Sequence, residues 1–423
     1  MLDLMLLKMD GFVAYHSQAQ ILVEYKLKMG FVFVLMCLIA PVQQTPLPYT
    51  SILNLSFKNI EFAMDLYRKI STYHDENIIF SPLSISTSFA ALSMASDGLT
   101  YKEILKGLNL DNLEQADQPD LIPKLFQMLH GNISQNGTTT LDQGMSLFVR
   151  QHFSIEKTFE EQMKSYFYAD IKRVNFEDTN ASISLINEYI KDKTRGKVEK
   201  MVSGLDPTTE LMMINTFYFQ GGWKMPFNPN FTYNAPFYVD NYNIPQVPMM
   251  FKEDKFETME DTHLGARVLK LPYLEGVSML ILLPNKGVDY NTIDDEINAK
   301  RILGWIKKLQ KAKLEINIPK FKMEESYSLH DILPELGFTS LFSGSANLTR
   351  LSKDKGLKVS EVLHKAVIDV DEVGTTAAAA TTIGIIPYSL PRTFIVNRPF
   401  FFFIYHEETK SLLFMGRVID PTK

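Results

Sequence analysis

Cysteine is almost missing from this chain, because Cys37 is the single cysteine among 423 residues. One cysteine cannot form an intramolecular disulfide, so core packing must hold the fold together, which a chain of this length permits. The shortage also excludes a cysteine-based metal site. A catalytic thiol is excluded as well, since Cys37 lies in a segment that we expect to be removed.

Long hydrophobic runs and the common catalytic motifs are missing too. No run reaches about 18 apolar residues, so no transmembrane helix is expected. The eight histidines are scattered and none lies in an HExxH motif, so we expect no metal or cofactor. No G-x-S-x-G, GxxxxGK[S/T] or GxGxxG motif indicates an enzyme. The net charge of −6 argues against a protein that binds nucleic acid.

A short apolar run near the start indicates a secretory leader. Two lysines precede the apolar residues 30–40, and a polar, proline-containing exit follows. We expect residues 29–44 to be a signal peptide that starts at Met29 and is cleaved between Ala40 and Gln44, with 1–28 as an upstream extension. The alternative is a buried N-terminal helix.

Six asparagines begin N-x-[S/T] motifs without an intervening proline. Six such motifs in a chain with a leader predict a secreted, extracellular glycoprotein. The predicted acceptors are Asn54, Asn132, Asn136, Asn180, Asn230 and Asn347.

Periodicity predicts one large α+β domain from about residue 50 to the end. Helical spacing appears in NIEFAMDLYRKIS and TFEEQMKSYF, whereas ELMMINTFYFQ, SMLILLPN and KAVIDVDE read as strands. RPFFFFIYHEETKSLLFMGRVIDP is typical of a hairpin. Helices and strands are mixed without βαβ regularity, which favours an α+β fold.

Residues 373–382 read VGTTAAAATT, without charge or aromatic side chains. Only small side chains would lie on either face if the segment became a strand. A flexible loop is the alternative, although such loops are usually richer in Gly, Ser and charge. The composition favours a segment that can be exposed and can also enter the middle of a sheet.

Several long motifs occur in order across about residues 52–423. They are NIIFSPLSISTSFAALS, INEYIKDKTRGKV, NTFYFQGGWKMPF, KVSEVLHKAVIDVDEVGTTAAAATT, NRPFFFFIY and LLFMGRVIDP. Together they resemble the serpin family, and among its members the inhibitory, α1-antitrypsin-like secreted group. The resemblance implies a shutter formed by Ser81, Ser84, Asn187 and His364, and a breach marked by Trp223.

The resemblance further implies three β-sheets, about nine helices and an exposed, insertable reactive-centre loop at about 373–393. Its hinge would comprise Gly374, Thr375, Thr376, Ala377, Ala378, Ala379, Ala380 and Thr381. The family's spacing from Gly374 places the reactive bond between Tyr388 and Ser389. A tyrosine there suits the deep apolar pocket of a chymotrypsin-like serine protease, and Arg392 would be cleaved only if this spacing slipped.

The family mechanism then predicts a covalent trap formed by a monomer. The protease would acylate at Tyr388, and the cleaved loop would insert as a central strand and carry the protease away. Glu372 and Lys320 would pair where insertion begins; the alternative is an ordinary surface ion pair. Val373 and Thr376 replace residues that are often charged in relatives. Both should face solvent, so we expect no loss of inhibition.

Two further alternatives stay open at this stage. The chain could be a non-inhibitory serpin that carries a small hydrophobic hormone, although its hinge lacks the bulky, charged or proline residues typical of non-inhibitors. Lys307, Lys308, Lys311 and Lys313 are candidates for binding a heparin-like glycosaminoglycan, or they form a solvated helix face. Trp305, within the same stretch, is expected to lie in the core or at an interface and not to bind a ligand.

Overall fold

The computed structural model describes residues 47–115, 117–134, 140–372 and 392–423. The predicted leader, its upstream extension and most of the predicted loop lie outside these ranges. Residues Ser51–Lys423 form one compact unit. None of the described helices is long and apolar enough to cross a membrane.

Eight α-helices lie in the described ranges, and local sequence explains where several of them start. Helix α2 (Pro82–Ala95) has Ser81 as its N-cap and proline at its first position. Helices α6 (Thr179–Lys193) and α8 (Ala299–Lys308) are capped by Asp178 and Asn298. The helices are α1 (Leu47–Tyr73), α2 (Pro82–Ala95), α3 (Gly98–Gly107), α4 (Leu121–Ser134), α5 (Lys157–Phe167), α6 (Thr179–Lys193), α7 (Asn291–Asp294) and α8 (Ala299–Lys308).

Fourteen strands form the sheets of the described residues. They are β1 (Ile78–Phe80), β2 (Thr140–Arg150), β3 (Asp170–Val174), β4 (Leu211–Gln220), β5 (Tyr233–Pro236), β6 (Gln246–Asp261), β7 (Ala266–Pro272), β8 (Val277–Pro284), β9 (Gln310–Pro319), β10 (Phe321–Ser328), β11 (Val359–Val370), β12 (Arg392–Ile395), β13 (Phe400–His406) and β14 (Leu412–Val418).

The five-stranded sheet has the order β10-β11-β4-β2-β3. Strands β10 and β11 are antiparallel, as are β4 and β2, whereas β11 and β4 are parallel to each other. The β11–β4 pair aligns His364 with Asn215, and its register shifts between Val359 and Glu361. A parallel pair therefore lies near the middle of this sheet, with antiparallel pairs on both sides.

The nine-stranded sheet has the order β1-β14-β13-β8-β7-β6-β9-β12, and β5 pairs with β6 at one side. The long strand β6 pairs with β9 along most of its length and with β7 at its C-terminal end. Strand β6 joins the strands around β9 to the strands around β7, so these strands form a single hydrogen-bonded sheet. The described residues therefore contain two hydrogen-bonded sheets, whereas the resemblance implied three. The α+β fold itself is confirmed.

Both faces of the central strands are covered. Every residue of β8, β13 and β14 is buried, which explains why these strands read as continuous apolar runs and not as alternating ones. A second apolar cluster lies between α6 and the five-stranded sheet, with Ile186 and Ile190 from the helix, Met212 and Ile214 from β4, and Val367 from β11. Residues of α6, β4 and β11 therefore belong to one apolar cluster at this sheet.

Candidate functional site

The described structure fixes both ends of the predicted reactive-centre loop. Glu372 follows β11 in the five-stranded sheet, and Arg392 begins β12 in the nine-stranded sheet. The hinge Gly374–Thr381 and the bond between Tyr388 and Ser389 lie outside the described residues. The segment 373–391 therefore connects two different sheets. The candidate site consists of the residues that surround its first anchor and the strands below it.

Trp223 lies beside the end of β11. Its ring stacks on Tyr273, with centroids 4.0 Å apart and an interplanar angle of 12°. The indole Nε1 donates a hydrogen bond of 2.7 Å to the carbonyl oxygen of Asp371. Only 5% of the Trp223 surface is exposed. The tryptophan thus fixes the last residues of the strand from which the loop departs.

Glu372 forms a nearly buried ion pair at the first anchor. Lys320 Nζ lies 2.7 Å from Glu372 Oε2, and the glutamate side chain is 9% exposed against 37% for the lysine. Thr232 Oγ1 donates to Glu372 Oε1 at 2.7 Å, and Phe227 donates its backbone N–H to the Glu372 carbonyl. Burial raises the pKa of Glu372, but the bonds from Lys320 and Thr232 outweigh it, so the pKa is lowered.

The predicted Lys320–Glu372 contact is therefore present, and it differs from an ordinary surface ion pair. The carboxylate is removed from water and depends on its partners for compensation. Thr232, which completes the arrangement, was missed from the sequence. No local pattern marks it, because a single threonine in a turn has many alternative roles.

A buried polar network joins the start of α2 to the parallel strand pair. The Ser81 backbone N–H donates to His364 Nε2 at 3.0 Å, and the Ser84 N–H donates to Ser81 Oγ at 3.3 Å. Asn215 Nδ2 donates to the Ser84 carbonyl at 2.8 Å and to Ser88 Oγ at 2.6 Å. Ser84 Oγ donates to Asn215 Oδ1. All five residues are buried.

This network spans the boundary between two strands. His364 belongs to β11 and Asn215 to β4, and they are direct neighbours in the parallel register. Separating β4 from β11 would break the bonds on at least one side of α2. Each buried polar group left without a partner would cost about 1–3 kcal/mol.

His364 is neutral in this setting. Its side chain is completely buried, and burial lowers its pKa to about 3, against a smaller opposing contribution from the Asn215 backbone. Because Nε2 accepts the Ser81 N–H, the proton of the neutral ring resides on Nδ1. Protonation of the ring would remove that acceptor and place a charge in the core.

Asn187 does not belong to this network, and its predicted place in the shutter needs correction. It lies on α6, where its Oδ1 accepts the backbone N–H groups of Met201 and Val202 at 2.8 and 2.9 Å. Its Nδ2 donates to the Val202 carbonyl at 2.8 Å. Asn187 thus fastens the segment after α6, and Asn215 occupies the position that we expected Asn187 to take.

The sequence does contain a signal for Asn215. A single amide stands within the otherwise apolar strand LMMINTFYFQ, and a buried amide requires hydrogen-bond partners. That requirement indicates a polar contact in the core. The identity of the partners depends on the register of β4 against β11 and on the position of α2.

The predicted glycosylation sites differ in accessibility. Asn54, Asn180 and Asn230 are exposed, whereas Asn132 and Asn347 are partly buried. Asn136 lies outside the described residues.

The four candidate glycosaminoglycan-binding lysines are all exposed, with Lys307 and Lys308 at the end of α8 and Lys311 and Lys313 on β9. Lys313 pairs with Glu253 at 2.5 Å, so one of the four charges is partly compensated. Trp305 is buried, and its Nε1 donates to Asp261 Oδ2 at 2.8 Å, as a core residue would.

Comparison with known sequences covers nearly the whole compact unit. The sequence profile of the family described as Serpin (serine protease inhibitor) matches residues 57–421. The protein Z-dependent protease inhibitor of Mus musculus is 38% identical over 369 residues, which cover 87% of this chain and 82% of that protein. Alpha-1-antiproteinase 2 of Equus caballus is 36% identical, with 86% of each chain covered.

Solved structures show the same likeness. A crystal structure of the mouse protein Z-dependent protease inhibitor matches with a TM-score of 0.83 and 36% identity, over 88% of this chain and 99% of that one. Human thyroxine-binding globulin in complex with thyroxine matches with a TM-score of 0.81 and 29% identity, over 88% of this chain and 100% of that one. An inhibitor and a hormone-binding protein therefore share this architecture with the chain.

Proposed function

Because the chain belongs to the serpin family of serine protease inhibitors, we propose that it is a secreted suicide substrate of chymotrypsin-like serine proteases, cleaved between Tyr388 and Ser389. The target class follows from the apolar, aromatic side chain of Tyr388, which suits a deep apolar primary pocket. The family assignment supports inhibition in general, and the sequence of the loop supports this particular target.

The observation that carries the proposal is the parallel pair β4 and β11. The loop leaves from the C-terminal end of β11, so a segment that folds back beside β11 runs antiparallel to it. Since β4 is parallel to β11, the same segment is also antiparallel to β4. Insertion between them would convert the parallel pair into two antiparallel pairs, which are slightly more stable per residue.

The length of the loop suits that insertion. Residues 374–388 would span roughly 50 Å as a strand at about 3.3 Å per residue, so an attached protease would be carried to the opposite end of the sheet. The small side chains of the hinge Gly374–Thr381 would enter first. They present little bulk or charge to resist burial.

The chemical step belongs to the protease. Its serine attacks the carbonyl carbon of Tyr388, the amine of Ser389 leaves, and an acyl-enzyme ester remains. Insertion of the freed loop would then pull the ester away and distort the catalytic residues of the protease before water can hydrolyse it. The protein performs no turnover of its own; it competes with deacylation.

The described residues supply a barrier that would keep the sheet closed until cleavage. Breaking β4 from β11 would disturb the network of Asn215 and His364, and it would disturb the apolar cluster to which α6, β4 and β11 all contribute. The Glu372–Lys320 pair and the Trp223 bond to Asp371 hold the place where insertion would start. Such local restraints are suited to a metastable protein that a single cut releases.

A direct test mixes the purified secreted protein with chymotrypsin at equimolar ratio and resolves the products on a denaturing gel. We expect a covalent band at the summed mass, and N-terminal sequencing of the released peptide should begin at Ser389. Tyr388→Asp should abolish the band, whereas Arg392→Gln serves as a matched control and should retain it. Cleavage after Tyr388 without a covalent band would show a substrate and not an inhibitor.

A hormone carrier is the second candidate, because thyroxine-binding globulin is among the structural neighbours. In that case thyroxine would bind the intact protein and quench its tryptophan fluorescence saturably, while no complex with chymotrypsin would form. The two assays together separate the functions. A protein that traps the protease and shows no saturable quenching supports the inhibitor.

Secretion, glycosylation, a monomeric state and a glycosaminoglycan partner complete the proposal. The exposed lysines near the end of α8 would bind a sulfated polysaccharide through charge, so binding should weaken as salt rises. Replacement of Lys307, Lys308 and Lys311 by glutamine should lower the salt concentration needed to elute the protein from heparin. Unchanged elution would assign these lysines to a solvated face.

A further inference from the structure

Two arginines meet beside the strand at which the predicted loop ends. Arg267 lies on β7, where its Nη1 donates to the Thr393 carbonyl at 2.9 Å and its guanidinium lies 4.8 Å from the centroid of the Phe394 ring. Arg398 lies before β13, and its Nε donates to the Pro284 carbonyl at 2.8 Å. Pro284 is opposite Ala266 in the β7–β8 register, so both guanidinium groups occupy the same corner of the sheet.

The two charges are poorly compensated. Both side chains are partly buried, and within the described residues neither forms an ion pair with a carboxylate within 4.0 Å. Burial and the neighbouring charge of Arg267 lower the pKa of Arg398 to about 10. Burial also lowers the pKa of Arg267, and only Glu260 opposes this. Both groups remain cationic at neutral pH, so the corner carries two repelling positive charges.

The two guanidinium groups use few of their donors on the residues that the structure describes. A guanidinium has five N–H groups, of which Arg267 uses one and Arg398 uses two in hydrogen bonds to the described residues. The contact to Phe394 fixes the plane of the Arg267 group, and the bonds to Pro284 and Asn397 fix that of Arg398. Two oriented guanidinium groups therefore lie in the same corner of the sheet, and most of their N–H groups make no hydrogen bond to the described residues.

We propose that Arg267 and Arg398 form a binding site for a tetrahedral oxyanion, either a free sulfate or phosphate ion or the sulfate group of a sulfated saccharide. Planar guanidinium groups bind such oxygens in pairs. A tetrahedral anion directs its oxygens toward several sides, so it can serve both forks at once and neutralise their repulsion.

The location gives the site a structural consequence. Strand β12 has four residues, and among the described strands it pairs with β9 alone. Arg267 fastens β12 to β7 through the Thr393 carbonyl and the Phe394 ring. An anion that holds Arg267 in place would strengthen the attachment of the strand that follows the reactive loop.

Isothermal titration of sodium sulfate into the purified full-length protein, in chloride buffer at fixed ionic strength, tests the site. Heat is the suitable readout because sulfate also stabilises proteins nonspecifically through exclusion from their surface. We expect saturable binding that is at least tenfold weaker in Arg398→Gln and in Arg267→Gln. Lys106→Gln, which removes an exposed cation on α3, should bind sulfate as the parent does.

Arg398→Lys is the control that distinguishes loss of the binding site from a folding defect. It keeps the charge but not the fork, so its sulfate affinity should fall between those of the parent and Arg398→Gln, with an unchanged circular dichroism spectrum. A sulfated heparin tetrasaccharide then distinguishes the source. If it also binds with loss in both arginine variants, the site takes a saccharide sulfate; if only inorganic sulfate binds, the site takes the free ion. Absence of saturable sulfate binding, or equal binding by Arg398→Gln, would overturn the proposal.

Discussion

Lowering the pH from 7.5 to 5.0 should destabilise the folded protein through His364, and the structure gives the sign and the size. The ring is buried beside the start of α2 and has a pKa of about 3, below its ordinary value of 6.5. In the unfolded chain the ring regains that ordinary value and binds a proton first. Stability therefore begins to fall as the pH drops below 6.5, and the loss continues toward pH 3.

The magnitude follows from the interval between the unfolded pKa and the assay pH. The assay pH of 5.0 lies about 1.5 units below the pKa of the unfolded ring and above the pKa of the folded ring. Over this interval the unfolded state binds the proton and the folded state does not. At about 1.4 kcal/mol per unit, His364 lowers the free energy of unfolding by about 2 kcal/mol relative to pH 7.5.

Asp294 acts in the opposite direction and must be separated from His364. Burial raises the pKa of Asp294 from 3.8 to about 6, although Arg417 and Tyr67 oppose the shift. A raised acid pKa means that the folded state binds its proton first, so stability rises as the pH falls through 6. The same arithmetic gives about 1.4 kcal/mol regained at pH 5.0, which offsets part of the loss that His364 causes in the parent.

His364→Gln isolates the histidine, because an amide oxygen can still accept the Ser81 N–H but does not titrate. Urea unfolding of parent and variant at pH 7.5 and 5.0, followed by tryptophan fluorescence, gives four free energies. The parent should lose about 2 kcal/mol more than the variant between the two pH values. The other titrating groups cancel in this double difference. Losses that agree within about 0.5 kcal/mol would refute the assignment of a buried, neutral His364.

Four substitutions test the remaining parts of the site. Asn215→Ala removes the hydrogen bonds that the amide donates and accepts at α2 and should lower the free energy of unfolding by about 2–4 kcal/mol. Asn187→Ala should lower it by about 1–2 kcal/mol and should leave the number of inhibitor molecules consumed per trapped protease unchanged. Lys320→Gln leaves the Glu372 carboxylate without its cation; the lysine is partly exposed, so urea unfolding should show a loss of about 1–2 kcal/mol. Trp223→Phe keeps an aromatic ring but loses one hydrogen bond, and it should cost about 1 kcal/mol and shift chymotrypsin from trapping toward turnover, which gel quantification of cleaved and complexed inhibitor measures.

Much of the fold could be predicted because its strands carry their own signal. The apolar run SMLILLPN became β8, and ELMMINTFYFQ became β4. The predicted C-terminal hairpin is present as β13 and β14, joined by a polar turn. In each case burial on both faces demands a continuous apolar run, and such a run is visible without knowledge of the neighbouring strands.

The contacts of the candidate site were harder to predict, since they depend on register and on distant segments. Asn187 and Asn215 are both asparagines between apolar and polar elements of the sequence, yet it is the register of β4 and β11 that places Asn215 beside α2. Arg267 and Arg398 are 131 positions apart by their numbers in the chain. They meet only because β7 and β8 pair next to the connection that leads into β13. Composition and periodicity contain no information on such contacts between residues that are distant in the sequence.

The hydrogen bonds around the β4–β11 pair indicate how the loop could insert between these two strands. The polar bonds of Asn215 and His364 to the start of α2 are local, and at least one of the two sets must break when β4 and β11 separate. An inserted segment would then restore a backbone partner to each of these strands and add bonds along its own length. We therefore infer that the cost is concentrated at the α2 network while the gain is spread along the loop. Substitutions at Asn215 should chiefly change the rate of opening, and substitutions in the hinge should chiefly change how often opening ends in a trapped protease.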